Sequence, residues 1–433
     1  MIRWGQFAFI LCIVTVPVFA QEAKQPSKTL ALKAARLFDA RAGRMLEQQV
    51  VLITGDRVEK VGSAKDVPVP SGAEVIDLGA ATVLPGLIDA HVHLTGDPDD
   101  AGLKGLEISV PREALKGAKN ARLTLEAGFT TVRNVGASGY ADVALREAIN
   151  AGEIPGPRLI VSGPALGSTG GHCDENQLAP EFAYRDEGVA DGVPSVLRKT
   201  REVIKYGADV IKFCASGGVF SKGDLPSTQQ YSFEEMSALV AEAHRQGRRV
   251  AAHAHGGSAI VEASRAGVDS IEHGSLIDDS GIRAMKEHGT YLVADIYNDD
   301  FILQQGKQHG FTDEMIDKEK SLGQKQREGF RRAAQAGVKI AFGTDAGVYP
   351  HGGNAKQFAY MVKYGLTPAQ AIQSATFNAA ELLGWSDRAG SIEPGKFADL
   401  IAVAENPLDD ITALERVKFV MKGGKIVKNT LAP

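Results

Sequence analysis

Hydrophobic and polar positions change their period twice along the 433-residue chain. Residues 30–38, 50–53, 57–61 and 73–78 are short apolar-rich runs punctuated by Gly, Asp and Pro, a pattern of short strands joined by turns. The same texture returns over 397–403, 417–422 and 425–428. Neither set closes a stable sheet alone, so the pattern predicts one small β-sandwich domain built from both termini. Between them lie eight apolar runs, over 82–94, 130–136, 158–167, 209–218, 249–256, 270–275, 291–297 and 339–347. They alternate with amphipathic stretches such as 232–246, 257–266 and 312–335, the helical crossovers that parallel strands require. Eight such units predict an α/β fold, a (β/α)8 TIM-like barrel. A doubly wound open sheet is the alternative, but no GxGxxG follows the first run. Thr367-Pro368 opens the last helix with Pro at its first position, and Gly384 leads back to the β domain.

The first twenty residues follow a different logic. Arg3 precedes an apolar run over 7–20, and Val18-Phe19-Ala20 has the small-x-small character of a cleavage site. A run of 14 residues is shorter than the roughly 20 that span a bilayer. Residues 1–20 are therefore predicted to be a cleaved signal peptide, leaving a secreted or periplasmic chain with no membrane attachment. Residues 21–29 form a linker, 30–84 and 386–433 the composite β domain, and 85–385 the barrel. At 44% hydrophobic and 23% charged residues the composition is that of a globular protein, not a disordered one. Net charge is −5 with no basic run, which excludes a nucleic-acid partner. Cys12 lies in the leader; Cys173 and Cys214 flank candidate site residues and are expected to be free or buried thiols.

The chemistry gathers at strand ends. His91-Val92-His93 places two rings at i and i+2, on one face of an extended strand, where they can share a metal. His253 ends the fifth apolar run, His273 the sixth and Asp345 the eighth, the end at which barrel enzymes place their sites. Lys212 sits inside an apolar strand, where desolvation favours the neutral amine. Such an amine can add carbon dioxide to give a carbamate, whose two oxygens can bridge two divalent cations.

These residues closely resemble the amidohydrolase superfamily in its binuclear, carboxylated-lysine form. The resemblance rests on Pro85-Gly-Leu-Ile-Asp-Ala-His-Val-His, Lys212, His253, His273, Gly343-Thr-Asp345 and Gly390-Ser-Ile-Glu-Pro-Gly-Lys-Phe-Ala-Asp-Leu. Thr131-Val-Arg-Asn-Val-Gly, Gly170-Gly-His-Cys-Asp, Ile211-Lys-Phe-Cys-Ala-Ser-Gly-Gly, Gln230-Tyr-Ser and His253-Ala-His-Gly resemble the imidazolonepropionase-like branch. That branch holds prolidase-type enzymes and amidases that degrade ochratoxin. Asn134 departs from it, where Asp is expected, and should alter hydrogen bonding behind the site rather than a ligand.

The resemblance implies that His91, His93 and Asp345 hold one metal, that His253 and His273 hold the other, and that carboxylated Lys212 bridges both. Zinc suits such donors best, although Mn, Co or Fe accept the same set. A bridging hydroxide would attack the amide carbonyl, with Asp345 as general base and then general acid. Tyr231 is a candidate donor to the oxyanion, and Tyr231, His172 and His255 are candidates for substrate binding. The expected reaction releases a C-terminal amino acid from a dipeptide or N-acyl amino acid, possible ochratoxin A hydrolysis included. The expected partners are that small substrate and further copies of the chain, a tetramer or octamer among the options. A cyclic amide hydrolase is one alternative and a mononuclear deaminase another, but three residues after His253 the deaminase glutamate is replaced by Gly256. A non-catalytic metal-binding barrel is the remaining reading.

Overall fold

The computed structural model describes Met1 and residues 29–431, so the predicted signal peptide beyond Met1 and nearly all of the linker lie outside the described residues. Strands β1 (Thr29–Asp39), β2 (Arg44–Thr54), β3 (Arg57–Ser63), β4 (Glu74–Asp77) and β5 (Thr82–Pro85) come first. Seven strands follow: β6 (Leu87–Val92), β7 (Phe129–Asn134), β8 (Arg158–Val161), β9 (Val210–Cys214), β10 (Arg249–Ala254), β11 (Ser270–His273) and β12 (Tyr291–Val293). The chain closes with β13 (Leu400–Val403), β14 (Phe419–Lys422) and β15 (Lys425–Asn429).

The two ends share one eight-stranded sheet in the order β15-β14-β13-β5-β1-β2-β3, with β4 on β1. The strands expected to form the β-sandwich are joined by hydrogen bonding into one sheet. The long β1 makes this possible, pairing with β4 through Leu30–Lys33 and with β5 through Arg36 and Leu37. Leu32, Val51, Val83, Leu400 and Phe419 form the centre of its own apolar cluster.

Strands β6 to β12 are short and buried, and all their mutual pairings are parallel. Near-continuous apolar runs are the signature of strands covered on both faces. Helices supply the cover: α1 (Val110–Glu126), α2 (Ala141–Ala151), α3 (Val193–Lys205), α4 (Phe233–Arg245), α5 (Gly257–Ala266), α6 (Asp279–His288), α7 (Asn298–Gln305) and α8 (Asp313–Gln335). In α4 the Ser232 side chain accepts from Glu235 N in a capping box, and Met236, Leu239, Val240 and Ala243 form the buried stripe. Each such side chain contributes about 1.5–3 kcal/mol on full burial.

Single bridges join the two parallel groups. Leu166, beyond β8, bridges Phe213 of β9; Leu292 of β12 bridges Ile340; and Ala346 bridges Val92 of β6. The eighth predicted strand is thus two bridges rather than a regular ladder. Asp345 at φ 56° and Gly347 at φ 120° turn its backbone away from the extended region. The first predicted run, 82–94, divides into β5 and β6 at Gly86, where an added Cβ would lie 2.1 Å from Thr130 Oγ1.

Candidate metal centre

His91, at the end of β6, is 1% exposed. Its Nδ1 lies 2.8 Å from Glu272 Oε2 on β11, and Arg133 Nη2 on β7 donates to the other Glu272 oxygen at 2.8 Å. The ring is therefore oriented from behind, and its Nε2 has no hydrogen-bond partner. His91 Nε2 and His93 Nε2 each stand 3.3 Å from Asp345 Oδ1. Gly343 lets the Asp345 segment approach, since a Cβ there would lie 2.2 Å from Val293 and 3.0 Å from His91 Cβ.

The facing wall is built in the same way. His273 Nδ1 meets Asp295 Oδ1 at 2.9 Å, and Asp295 also accepts from Gln326 and Asn298. His255 Nδ1 meets Ser275 Oγ at 2.7 Å. His253 directs Nε2 at Gly217 O, 3.1 Å away, which leaves Nδ1 as its other nitrogen. Donor atoms of His253, His255 and His273 lie within 4.8 Å of one another, as do those of His91, His273 and Asp345, so His273 belongs to both groups. His273 and Asp345 are two of only five non-glycine residues at positive φ among the described residues, a strain of about 1–3 kcal/mol each that places both side chains inward.

Lys212 lines the same cavity at 4% exposure and forms no salt bridge among the described residues. Burial lowers its ammonium to about 8, with Glu272 and Asp345 acting in the opposite direction. For Asp345 burial pushes the carboxyl up, but His91 and His93 outweigh it and hold it well below the ordinary range. Burial takes His253 and His255 well below the usual histidine value, leaving neutral rings, the form that binds metal.

The cavity measures about 220 Å³ and shares His93, His172 and Phe220 with a wider outer cleft of about 800 Å³. His172 stacks on His253 with ring centroids 4.2 Å apart. Tyr231 is placed elsewhere: it is 1% exposed, its hydroxyl donates to Ala190 O at 2.9 Å, and it lines neither space. Its role as oxyanion donor or substrate ligand is corrected accordingly, because the only proton it could offer is already used. The two cysteines are corrected as well. Cys173 and Cys214 form a disulfide that ties the loop bearing His172 to the end of β9.

Asn134 acts behind the site. Its Oδ1 accepts from Leu94 N at 2.7 Å while its Nδ2 donates to Gly136 O and Asp142 Oδ2. An aspartate could not make the last two bonds. Sequence reasoning missed Glu272, Arg133 and Asp295; an acid directly before His273 in an apolar strand was the available signal for the first. It also missed Glu319 of α8, whose buried carboxyl lines the cavity and is pushed well above its usual value by burial and by Asp299 and Asp295.

Buried imidazoles and a carboxylate held low converge on one cavity at the ends of parallel strands, a donor set suited to metal ions. The amidohydrolase family pattern matches residues 82–427. The chain is 36% identical over 410 residues to ochratoxinase of Aspergillus niger, covering 89% of this chain and 84% of that one. It is 26% identical over 389 residues to imidazolonepropionase of Fusobacterium nucleatum, covering 81% and 83%. A crystal structure of a Xaa-Pro dipeptidase with methionine bound in its active site superposes with a TM-score of 0.86 at 38% identity, over 93% of this chain and all of that one. The chain belongs to the amidohydrolase family and is a hydrolase acting on amide bonds.

Proposed function

We propose that the protein is a binuclear metal-dependent amidohydrolase of (β/α)8 form that releases a C-terminal amino acid from a dipeptide or N-acyl amino acid, with ochratoxin A among its candidate substrates. One observation carries the reading: two donor groups share His273 in a cavity also lined by Lys212, which is buried and forms no salt bridge among the described residues. The donors fit metal, since the buried His91 Nε2 makes no hydrogen bond among the described residues and stands 3.3 Å from Asp345 Oδ1, while the far nitrogens of His91 and His273 are held by carboxylates. His91, His93 and Asp345 would hold one divalent ion and His253 and His273 the other, with the Lys212 carbamate between them and zinc the metal best suited. When bound, the pair supplies an activated water and polarises the scissile carbonyl.

The remaining work belongs to the chain. Asp345, anionic between two imidazoles, takes the proton of the attacking water and returns it to the leaving nitrogen. His255 and His172, on the cavity wall, bind the substrate's polar groups. The inner cavity has room for an amino acid leaving group, and the outer cleft receives the acyl portion. The same reading takes 85–385 as the hydrolase domain of an exported, homo-oligomeric chain. Its test is mass-spectrometric detection of free amino acid from zinc-loaded enzyme given dipeptides, N-acyl amino acids and ochratoxin A. Release from at least one linear amide is expected; opening of cyclic amides or loss of ammonia from an amine, with no linear substrate cleaved, overturns the reading.

A further inference from the structure

His172 is held by a chain of hydrogen bonds that leads away from the cavity. Its Nδ1 lies 2.8 Å from Ser221 Oγ, and Ser221 Oγ lies 2.6 Å from Asp224 Oδ1. The other neighbours of Asp224 are all donors: Lys318 Nζ at 2.9 Å, Gln230 Nε2 at 3.0 Å and Gly218 N at 3.2 Å. Lys318 comes from α8 and also donates to Ser221 O at 2.6 Å. Lys318 and Asp224 form an ion pair whose side chains are 9% and 8% exposed.

The directions of these bonds follow from who can donate. A carboxylate surrounded by donors accepts from every one of them. Ser221 has a single proton, and Asp224 takes it, so the serine oxygen must accept from His172. His172 Nδ1 therefore carries a hydrogen, and Nε2 is its only uncommitted nitrogen. The ring packs close over Gly218, where an added Cβ would lie 2.3 Å from His172 Cε1, and stacks on His253. Gln230 Oε1 fixes the backbone beneath it by accepting from His172 N at 3.0 Å.

We propose that Asp224 is a positioning residue that, acting through Ser221, fixes the orientation and the Nδ1-protonated tautomer of His172, so that Nε2 alone faces the substrate; this rests on the hydrolase reading above. Lys318 extends the device to α8, the helix that also carries Gln326 and Glu319 to the same cavity. A substrate group is then met by one defined nitrogen rather than by a ring free to flip.

The test uses zinc-loaded enzyme labelled with ¹⁵N at histidine, His172 being assigned by the signal lost in His172→Gln. In the parent protein His172 should show a protonated Nδ1. Ser221→Ala and Asp224→Asn should mix the tautomers and lower kcat/KM for the best amide substrate about 10-fold, through a raised KM, with zinc content unchanged. Ser221→Thr, which retains the hydroxyl, should keep the parent tautomer. Protonation at Nε2 in the parent, or a tautomer and kcat/KM unmoved in Ser221→Ala, overturns the proposal. If Asp224→Asn does not fold, the parent spectrum and Ser221→Ala still decide. If no amide is cleaved the hydrolase reading fails, whereas the tautomer measurement stands by itself.

Discussion

At the scale of single residues the site is a set of groups that would be costly anywhere else. Glu272 is 0% exposed and carries its charge because Arg133 and His91 surround it. Replacing it by Gln leaves the Arg133 guanidinium buried without a full counter-charge, so Glu272→Gln should lose about 3–5 kcal/mol in chemical denaturation. Tyr231 gives the opposite expectation. Among the described residues its hydroxyl bonds only to Ala190 O, so Tyr231→Phe should cost about 1 kcal/mol of stability. Its kcat should stay near that of the parent; a loss of about 10²–10³, the mark of an oxyanion donor, would contradict its placement. The histidines and Asp345 were legible because an apolar run ending in a ligand-type side chain fixes both depth and direction. Tyr231 was not, because it sits in the irregular loop between β9 and α4, where no periodicity fixes which way a side chain points.

Among elements, the loop between β8 and α3 depends on a covalent tether. Cys173 and Cys214 are 41 residues apart in sequence and 5.9 Å apart at Cα, a proximity that only the β8–β9 adjacency creates, which is why sequence spacing left them as separate thiols. Closing a loop of that length is worth about 3–4 kcal/mol in the unfolded state. Cys173→Ala/Cys214→Ala should be destabilised by that order, and reductant should lower the stability of the parent but not of the double variant. An ion pair between the two halves of the terminal β domain carries a pH signature. Arg41 on one side and Lys396 on the other outweigh partial burial and hold Glu393 at about 2, below its usual 4.5. A folded value beneath the unfolded one stabilises above about pH 4.5, and that contribution is lost as pH falls towards 2. Glu393 is 35% exposed, so Glu393→Gln should cost less than about 1 kcal/mol at pH 7. The gap between the two melting curves should close by about pH 2.

For the whole molecule, strand order and the bridges at Leu166, Ile340 and Ala346 bring residues as far apart in the chain as His91 and Asp345 to one cavity. The parallel strands were readable as buried runs because both faces are covered. The single terminal sheet was not readable as such, because only pairing along the full length of β1 reveals that its two halves serve different partners. In the reading proposed above, two metal ions bridged through Lys212 would occupy this cavity. Elemental analysis of the purified protein beside Lys212→Ala, both assayed for amide cleavage, addresses it most directly. About two divalent ions per chain with activity, and loss of both activity and at least one ion in Lys212→Ala, is the expected result. One ion per chain with activity indifferent to Lys212 would contradict the account.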